Sequence, residues 1–477
     1  MIGQVFRYTI VRGVRLTSRG AGVRLAERRA ILNRFSGLAV LAWLALTAAG
    51  TALGQSEEPY EGPSILTRDS TNAGQRAGKL LDFQLWGEIT GIVDSGLTGV
   101  SLNSAGQLNV APTLYGVEAG FGATGSKSWE SDQVSLDYRG DWRQYDPSAI
   151  FDGTEQFLDV QWKHRLARHL ELTVHEVGGI TNLSFGQLTY VPLANTDLLG
   201  VPLNELFDNT TYFSQSTVNL EWQTSARLSF NFGGDGFIVR RVSPLLTDSN
   251  GYRGRGDVAY RLTKRQSIYA SYSYEHFDYP RSFGYSNINE VESGWSLGLG
   301  PRTDFSIDGG AAQVQTLGLI QVALPPAVAA IVGQGYTTTT SERNVIIPVG
   351  QARFTQRFST SALNLNGGIT ISPGDGVYLT SRAISGSVGY SYVGGKRLTF
   401  QTTAAYSRLT SAGQQTIAPY DGYLAGAGMT YRLFAHASME ARYDWRRYNV
   451  ASVANKDENR VTLGMAIGTG ERPLAIW

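Results

Sequence analysis

The sequence predicts an all-β fold in which one antiparallel, up-and-down sheet of about 18 strands closes into a transmembrane β-barrel. The main observation is a period of two between apolar and polar residues along most of the chain after position 81. Short and long connections also alternate between the resulting segments. No long helical period occurs outside the N-terminal region. A closed sheet of this kind uses the length of the chain, 477 residues, in one main domain.

The alternation is clear in residues 133–143, where Val134, Leu136 and Tyr138 alternate with Asp137 and Arg139. Such segments exceed the usual soluble strand of about 5–6 residues, and a tilted strand needs about 9–11 residues to cross a bilayer. The predicted strands are 81–94, 114–127, 132–146, 154–165, 168–181, 210–224, 226–239, 251–264, 266–280, 288–301, 303–314, 344–357, 360–372, 382–394, 397–410, 419–433, 436–449 and 457–470.

The connections predict the orientation of the barrel. Short turns alternate with long connections, as expected for tight periplasmic turns and long outer loops. The weakest pair is 344–357 and 360–372, and without it the barrel has 16 strands. A soluble multi-sheet β protein is the other alternative. Here many apolar-face positions are Gly, Ala, Tyr and Trp, which favours aromatic girdles in a membrane over a dense soluble core.

The N-terminal region predicts export from the cytoplasm. Eight Arg lie in residues 1–35, and the uncharged stretch SGLAVLAWLALTAAGTALG follows at 36–54. Ala52 and Gly54 supply small residues for cleavage, so residues 1–54 are interpreted as a signal peptide. A single transmembrane anchor is the alternative. Residues 55–80 are predicted to be a flexible periplasmic tail, 81–470 the barrel, and 471–477 a short C-terminal tail.

Charge and composition exclude several function classes. Without residues 1–54 the chain keeps 33 Lys and Arg against 39 Asp and Glu, so its net charge argues against binding nucleic acid. The chain has no Cys, which excludes disulfides and Cys-based zinc sites. The five His residues are scattered along the chain. Glu275, His276 and Asp278 lie close together in sequence, but neighbouring residues of a strand, such as Glu275 and His276, point to opposite faces. No catalytic residue, metal site or cofactor is predicted.

The chain resembles bacterial outer-membrane β-barrels, most nearly the poorly characterised porin-like barrels of environmental bacteria. The resemblance covers about residues 81–470 and rests on strand rhythm, with Ser372–Tyr392 as its most recognisable unit. Trp477 is similar to the terminal aromatic residue that the barrel-insertion machinery reads, although Pro473 interrupts the alternation before it. The resemblance implies a place in the outer membrane of a Gram-negative-type bacterium, contact with its lipid and with the insertion machinery, and leaves a homo-oligomer open.

Three predicted strands carry rows of charge on their polar face. Rows of both signs in a water-filled lumen would bias which solutes pass. The structural alternative is a set of cross-strand ion pairs that tile the wall and fix the register. The predicted pore-lining residues are Asp137, Arg139, Asp141, Arg143, Arg253, Arg255, Asp257, Arg261, Glu440, Arg442, Asp444 and Arg446.

Two predicted outer loops, Leu188–Phe207 and Leu317–Gly333, are unusually apolar. Either one folds into the pore as a constriction or lid, or both pack on the rim or against the outer leaflet. The pair Pro325-Pro326 argues against a helix running through the second loop.

Three functions remain open. The first is a porin-like channel for passive diffusion of small hydrophilic solutes, supported by the charged lumen and a strand number that leaves an aqueous channel. The second is a dedicated export pore, for example for a polysaccharide. The third is a structural or surface-interaction barrel with a blocked lumen, which the two apolar loops would favour. No enzymatic activity is predicted.

Overall fold

The computed structural model describes residues 82–102, 108–146, 152–181, 210–244, 246–373, 376, 378–394, 397–412, 419–450 and 454–469. The predicted signal peptide, the periplasmic tail, the C-terminal tail and the apolar loop Leu188–Phe207 lie outside these residues. No helix among the described residues is long and apolar enough to cross a membrane.

Eighteen strands and one short helix make up the described chain. The strands are β1 (Asp82–Leu102), β2 (Leu108–Ser128), β3 (Asp132–Asp146), β4 (Gly153–Ala167), β5 (Leu170–Thr181), β6 (Thr211–Gln223), β7 (Leu228–Arg241), β8 (Ser249–Thr263), β9 (Gln266–Asp278), β10 (Gly284–Gly300), β11 (Thr303–Ala323), β12 (Tyr336–Arg357), β13 (Ser361–Ser372), β14 (Ser381–Gly394), β15 (Leu398–Ser411), β16 (Tyr420–Phe434), β17 (Ala437–Val450) and β18 (Ala454–Gly468). Helix α1 (Pro326–Val332) lies between β11 and β12.

Each strand pairs antiparallel with its neighbours in the chain, and β1 also pairs with β18. The seam runs in continuous register from Trp86 opposite Gly468 to Ser95 opposite Asn459. The sheet therefore closes into a barrel without a free edge, which satisfies the backbone groups that an open sheet would leave unpaired in lipid. The prediction of 18 strands is confirmed.

The strand pair that was weakest in the sequence belongs to the wall. β12 and β13 pair from Gly350 opposite Ile369 to Arg357 opposite Ala362, and a turn closed by the Phe358 amide and the Ser361 carbonyl joins them. The 16-strand alternative is therefore wrong. The paired stretch ends at Ile369, before the end of β13 at Ser372, while β12 begins as far back as Tyr336.

The period of two separates the two faces of the wall. On β3 the Trp142 side chain is 53% exposed, whereas the next residue, Arg143, is 4% exposed. Tyr145 lies on the same face as Arg143 and reaches Asp94 on β1 across the intervening strand β2. Side chains can converge across an intervening strand only on the concave face, so this face lines the interior. The exposed apolar residues lie outside, which argues against a soluble β protein.

Glu176 on β5 is a charged residue on the outer face of the barrel. The carboxylate of Glu176 on β5 accepts hydrogen bonds from the hydroxyls of Ser214, at 2.9 Å, and Ser216 on β6. Ser216 shares its face with Val218 and Trp222, which are 46% and 49% exposed. The hydroxyls satisfy the carboxylate beside the exposed apolar side chains of this face.

Two hairpins extend further than the sequence predicts. β1 and β2 continue into the predicted loop 95–113, and β11 and β12 continue into the predicted loop 315–344. The apolar segment Leu317–Gly333 therefore forms a strand and the short helix α1. The helix begins directly at Pro326, because a proline in the first turn needs no amide partner, and Gly333 ends it with a left-handed φ of 72°.

The outer part of the β11–β12 hairpin does not fold into the barrel. Ile331 is 86% exposed, and residues 333–340 are exposed on both faces of the hairpin. The prediction that Leu317–Gly333 is a lid or constriction therefore has no support in this geometry.

Candidate functional site

The interior carries buried ion pairs across the seam of the barrel. Arg460 on β18 contacts Asp94 on β1, with its Nε 2.9 Å from Oδ1 and its Nη2 3.1 Å from Oδ2. The hydroxyl of Tyr145 donates to Asp94 and lies 3.0 Å from Arg460 Nη2. The three groups satisfy each other, as buried charges require.

The β17 row continues this network. Arg446 lies opposite Glu458 in the β17–β18 register, and its Nη2 and Nε lie 2.7 and 3.1 Å from Glu458 Oε2. Arg442 donates to both carboxylate oxygens of Asp444 on the same strand, at 2.6 and 2.8 Å. Glu440 lies on the same face, two residues from Arg442. Cross-strand pairing and intrastrand pairing thus occur together.

The β3 row has the same organisation. Arg139 donates to Asp137 at 2.7 Å, and Arg143 donates to Glu118 on β2 at 2.6 Å and to Glu155 on β4 at 3.3 Å. Arg143 and Glu118 lie directly opposite each other in the register. One guanidinium therefore holds three adjacent strands together.

The β8 row lies on another part of the wall. Arg253 contacts Asp235 on β7 at 2.8 Å and Glu275 on β9 at 3.9 Å. Arg255 donates to Asn219 at 3.1 Å. Two further members of the predicted set, Asp257 and Arg261, share the face of Arg253, and Asp257 accepts a hydrogen bond from Asn231 at 3.0 Å.

All twelve residues in the three rows share the inner face of their strands. Arg143, Arg253 and Arg446 each form an ion pair across strands, as the structural alternative to a pore-lining role expects. The strand geometry also separates neighbouring polar residues as predicted. Glu275 faces Arg253 inside, whereas His276 contacts Asn287 on the outer face.

The β3 and β17 rows border one cavity that is open to solvent. The charged groups that line it include both signs, so that a solute in the cavity meets carboxylates and guanidinium groups together. They are Glu88, Glu118, Asp141, Glu440, Asp444, Arg143, Arg442 and Arg460. The remaining polar lining residues are Thr90, Thr399, Gln401, Thr402, Thr403, Thr430 and Thr462.

The outer half of the interior differs in character, because a large apolar cluster covers the wall from β5 to β13 and extends to Ala412 after β15. Ile288 on β10 and Val314 on β11 are fully buried there. A barrel interior that holds only water would leave these side chains exposed. The outer apolar cluster consists of Val177, Phe213, Phe237, Val239, Phe277, Tyr279, Ile288, Ala312, Val314, Ile347, Val349, Ile371 and Ala412.

The β13–β14 connection folds inward over this cluster. Thr380 Oγ1 lies 2.6 Å from the hydroxyl of Tyr279, which follows β9, and 2.5 Å from Ser286 Oγ on β10. Leu379 packs against the cluster itself. Because β14 and β10 are separated by three strands in the wall, the connection must cross the concave side of β11–β13. Burial raises the pKa of Tyr279, so its hydroxyl stays neutral.

The β7–β8 connection meets the β13–β14 connection at the outer mouth. The amide of Thr247 donates to the carbonyl of Gly376 at 2.8 Å, and Gly376 has a left-handed φ of 89°. Arg281, in the β9–β10 connection, contacts Asp248, whose Oδ1 also accepts the Arg241 amide at 2.8 Å. Three outer connections are therefore joined into one network, called here the outer-mouth network.

The outer apolar cluster and the outer-mouth network were not predicted from the sequence. A signal exists in the strands themselves, because alternation fails near their outer ends. Phe237, Ile238 and Val239 are consecutive apolar residues on β7, so both faces are apolar there. The same holds for residues 345–347 on β12. A strand that is apolar on both faces must be covered on both, by lipid outside and by protein inside.

No protein-family model matches the chain, and no curated protein matches it in sequence. Solved structures that it resembles include OccK2 (OpdF) of Pseudomonas aeruginosa in complex with glucuronate, at 13% identity and a TM-score of 0.39, covering 82% of this chain and 98% of that one. A BenF-like porin from Pseudomonas fluorescens Pf-5 matches at 11% identity and a TM-score of 0.37, covering 81% and 99%. These likenesses concern the fold alone.

The closed sheet and its outward apolar face decide the location. This chain is an outer-membrane β-barrel. A closed antiparallel barrel is the only β architecture that leaves no backbone group unpaired in lipid, and its alternating faces present apolar side chains to the bilayer and polar ones to the interior.

Proposed function

We propose that the barrel is a porin-like channel for passive diffusion of small hydrophilic solutes. The observation that carries the proposal is the cavity bordered by the β3 and β17 rows, where carboxylates and guanidinium groups face a space open to solvent. Charged groups at such a density require water or a polar solute beside them. An 18-stranded barrel is wide enough to leave an aqueous channel.

The charge pattern supports selection by electrostatics. The guanidinium groups of Arg143, Arg442 and Arg460 each contact a carboxylate. The wall therefore presents pairs of opposite charges rather than an excess of one sign. Such a wall suits solutes that carry both donors and acceptors, such as sugars and amino acids. The twelve residues of the three rows are proposed as pore-lining groups on this basis.

Liposome swelling tests the proposal directly. Vesicles that contain the folded protein are expected to swell in isotonic sugars and amino acids at rates that fall with solute size. Protein-free vesicles and vesicles with heat-unfolded protein are the controls. Folded barrels that give no swelling with any small solute would contradict the proposal.

A barrel that is closed or gated at its outer mouth is the second candidate. It is favoured by the outer-mouth network, in which the connections after β7, β9 and β13 bond to one another over the outer apolar cluster. Single-channel recording separates the two candidates. Steady steps proportional to salt indicate an open pore, whereas silence or brief openings indicate a mouth that is closed most of the time.

A further inference from the structure

Three carboxylates from three adjacent strands converge on the inner wall of the barrel. One oxygen each from Glu88 on β1, Glu118 on β2 and Asp141 on β3 lies within 4.8 Å of the other two. Glu88 and Asp141 lie on either side of Gly120 in the strand register, so the three strands form one row. Like charges at this spacing repel strongly unless a cation or protons lie between them.

Gly120 makes this convergence possible. A Cβ at this position would lie 2.4 Å from Asp141 Oδ1 and 2.9 Å from Glu88 Cγ. The space above the glycine is therefore occupied from both sides by the two acidic side chains, which point toward each other over the β2 backbone. The sequence places a glycine where any larger residue would separate the two carboxylates.

Asp141 supplies a second observation, independent of the clustering. It is 5% exposed, and its Oδ1 is buried without a hydrogen-bond partner among the described residues. This is the same oxygen that lies above Gly120, so it is aimed into the cluster. A buried carboxylate oxygen that lacks a partner is strongly destabilising, and an ion is one of the groups that can satisfy it.

The nearby guanidinium groups contact carboxylate oxygens other than Asp141 Oδ1. Arg143 donates to Glu118 and Glu155, Arg460 contacts Asp94, and Arg442 donates to Asp444. Among the described residues, none of these guanidinium groups forms a hydrogen bond with Asp141 Oδ1. Three carboxylates around one position favour a divalent cation over a monovalent one.

We propose that Glu88, Glu118 and Asp141 bind one Ca²⁺ ion in the wall of the cavity. Carboxylate oxygens are the ligands of a hard cation, and Ca²⁺ accepts them at about 2.3–2.6 Å in flexible geometry, with water filling the remaining positions. The spacing of the three oxygens is within the reach of one such ion. Mg²⁺ requires about 2.0–2.1 Å and near-octahedral geometry, so it is expected to bind less tightly.

Bound Ca²⁺ would change the field in the cavity. The cluster borders the same space as Arg143, Arg442 and Arg460. Neutralising its carboxylates would remove negative charge from the lining and would shift ion preference toward anions. This consequence rests on the proposed channel function, whereas the binding of Ca²⁺ does not.

Isothermal titration with CaCl₂ tests the site. The protein is produced as the full chain in a Gram-negative host, extracted from the outer membrane, and freed of lipopolysaccharide, which itself binds divalent cations. We expect one Ca²⁺ per chain, weaker binding of Mg²⁺, and a higher unfolding temperature in Ca²⁺ than in chelator. A folded barrel that binds no Ca²⁺ and shows no such shift would overturn the proposal.

Three variants distinguish Ca²⁺ binding at this site from non-specific binding to other acidic residues. Glu88→Gln and Asp141→Asn are expected to weaken Ca²⁺ binding by roughly tenfold or more, because each removes a charged ligand. Gly120→Ala keeps every charge but fills the space between the carboxylates, and it is also expected to weaken binding. Asp137→Asn, on the same strand but paired with Arg139, is the control for Ca²⁺ binding.

Heat-modifiable mobility first establishes which variants are folded barrels. Unchanged Ca²⁺ binding in folded Glu88→Gln and Asp141→Asn would overturn the assignment of the ligands. Unchanged binding in Gly120→Ala would place the ion away from the row above this glycine and would equally overturn it. Ca²⁺ binding without any conductance would uphold the site and contradict the channel function.

Discussion

Arg460 and Asp94 form a two-contact ion pair across the seam where the last strand meets the first. They lie directly opposite each other in the β1–β18 register, at 2.9 and 3.1 Å, with side chains that are 7% and 1% exposed. The two residues are 366 positions apart in the chain. Their contact therefore exists only in the closed barrel.

The seam pair predicts a large loss of stability when one partner is removed. Asp94→Asn or Arg460→Gln leaves a buried charge without its counterion, and we expect a cost of about 3–5 kcal/mol. Urea unfolding in lipid vesicles measures it. The double variant Asp94→Leu with Arg460→Met is expected to regain much of the loss, because it removes both charges together.

The matched control is the pair of Arg357 and Asp304, at 3.2 Å, in which the arginine side chain is 55% exposed. Asp304→Asn is expected to cost about 0–1 kcal/mol, since solvent already screens that pair. Equal losses at the two pairs would contradict the view that burial, rather than pairing alone, makes the seam pair important.

The inward fold of the β13–β14 connection predicts a change in gating. Thr380→Val removes the hydroxyl that bridges Tyr279 and Ser286, and leaving these buried hydroxyls with fewer partners costs about 1–3 kcal/mol. We expect a looser connection and longer or larger openings in single-channel recordings. Thr337→Val, on the exposed part of β12, is the control. Identical traces for Thr380→Val and the unmodified protein would mean that this connection does not limit flow.

The outer apolar cluster predicts a contrast between two isoleucines. Ile288 is fully buried, so Ile288→Ala is expected to lower the unfolding free energy by about 2–5 kcal/mol. Ile331, at the tip of the β11–β12 hairpin, is 86% exposed. Ile331→Ala is therefore expected to change the unfolding free energy by less than about 0.5 kcal/mol. Both are measured by denaturant unfolding in vesicles. A large effect at Ile331 would indicate that the hairpin tip is covered in the membrane, for example by another chain.

The pairing of Arg442 with Asp444 predicts opposite shifts in ion selectivity. Arg442→Gln leaves an uncompensated carboxylate beside the cavity, so the reversal potential in a salt gradient is expected to move toward cation preference. Asp444→Asn is expected to move it toward anion preference. Glu342→Gln, a charge on the outer face of β12 that interacts with Gln315, is expected to have little effect. Shifts of the same sign in both lumen variants would contradict the proposed lining.

Much of the fold could be predicted because strand periodicity is a local property. The alternation around Val134 and Asp137 identifies a strand and its two faces without knowledge of any partner. The rows on β3, β8 and β17 follow from the same period. Only the hairpin extensions beyond Asp94 and Val314 differ greatly from the predicted bounds, because pairing between neighbouring strands can continue past the membrane where no lipid imposes the period.

The candidate site could be predicted only in part. That Asp141 faces inward follows from the sequence, but that its oxygen meets Glu88 above Gly120 depends on the register of three strands. The inward fold of the segment around Thr380 depends on a contact with Tyr279, 101 positions away. No local pattern encodes such a contact, because its partners are brought together only when the sheet closes.

The sequence by itself determined the class of the fold and the polarity of each face, since these depend on neighbours along the chain. The tertiary structure decided between 16 and 18 strands. The tertiary structure decided which charges pair, where carboxylates are left to converge, and which connections enter the lumen. Barrel closure and strand register set the distances between residues that are remote in sequence, and electrostatic and packing energies depend on those distances.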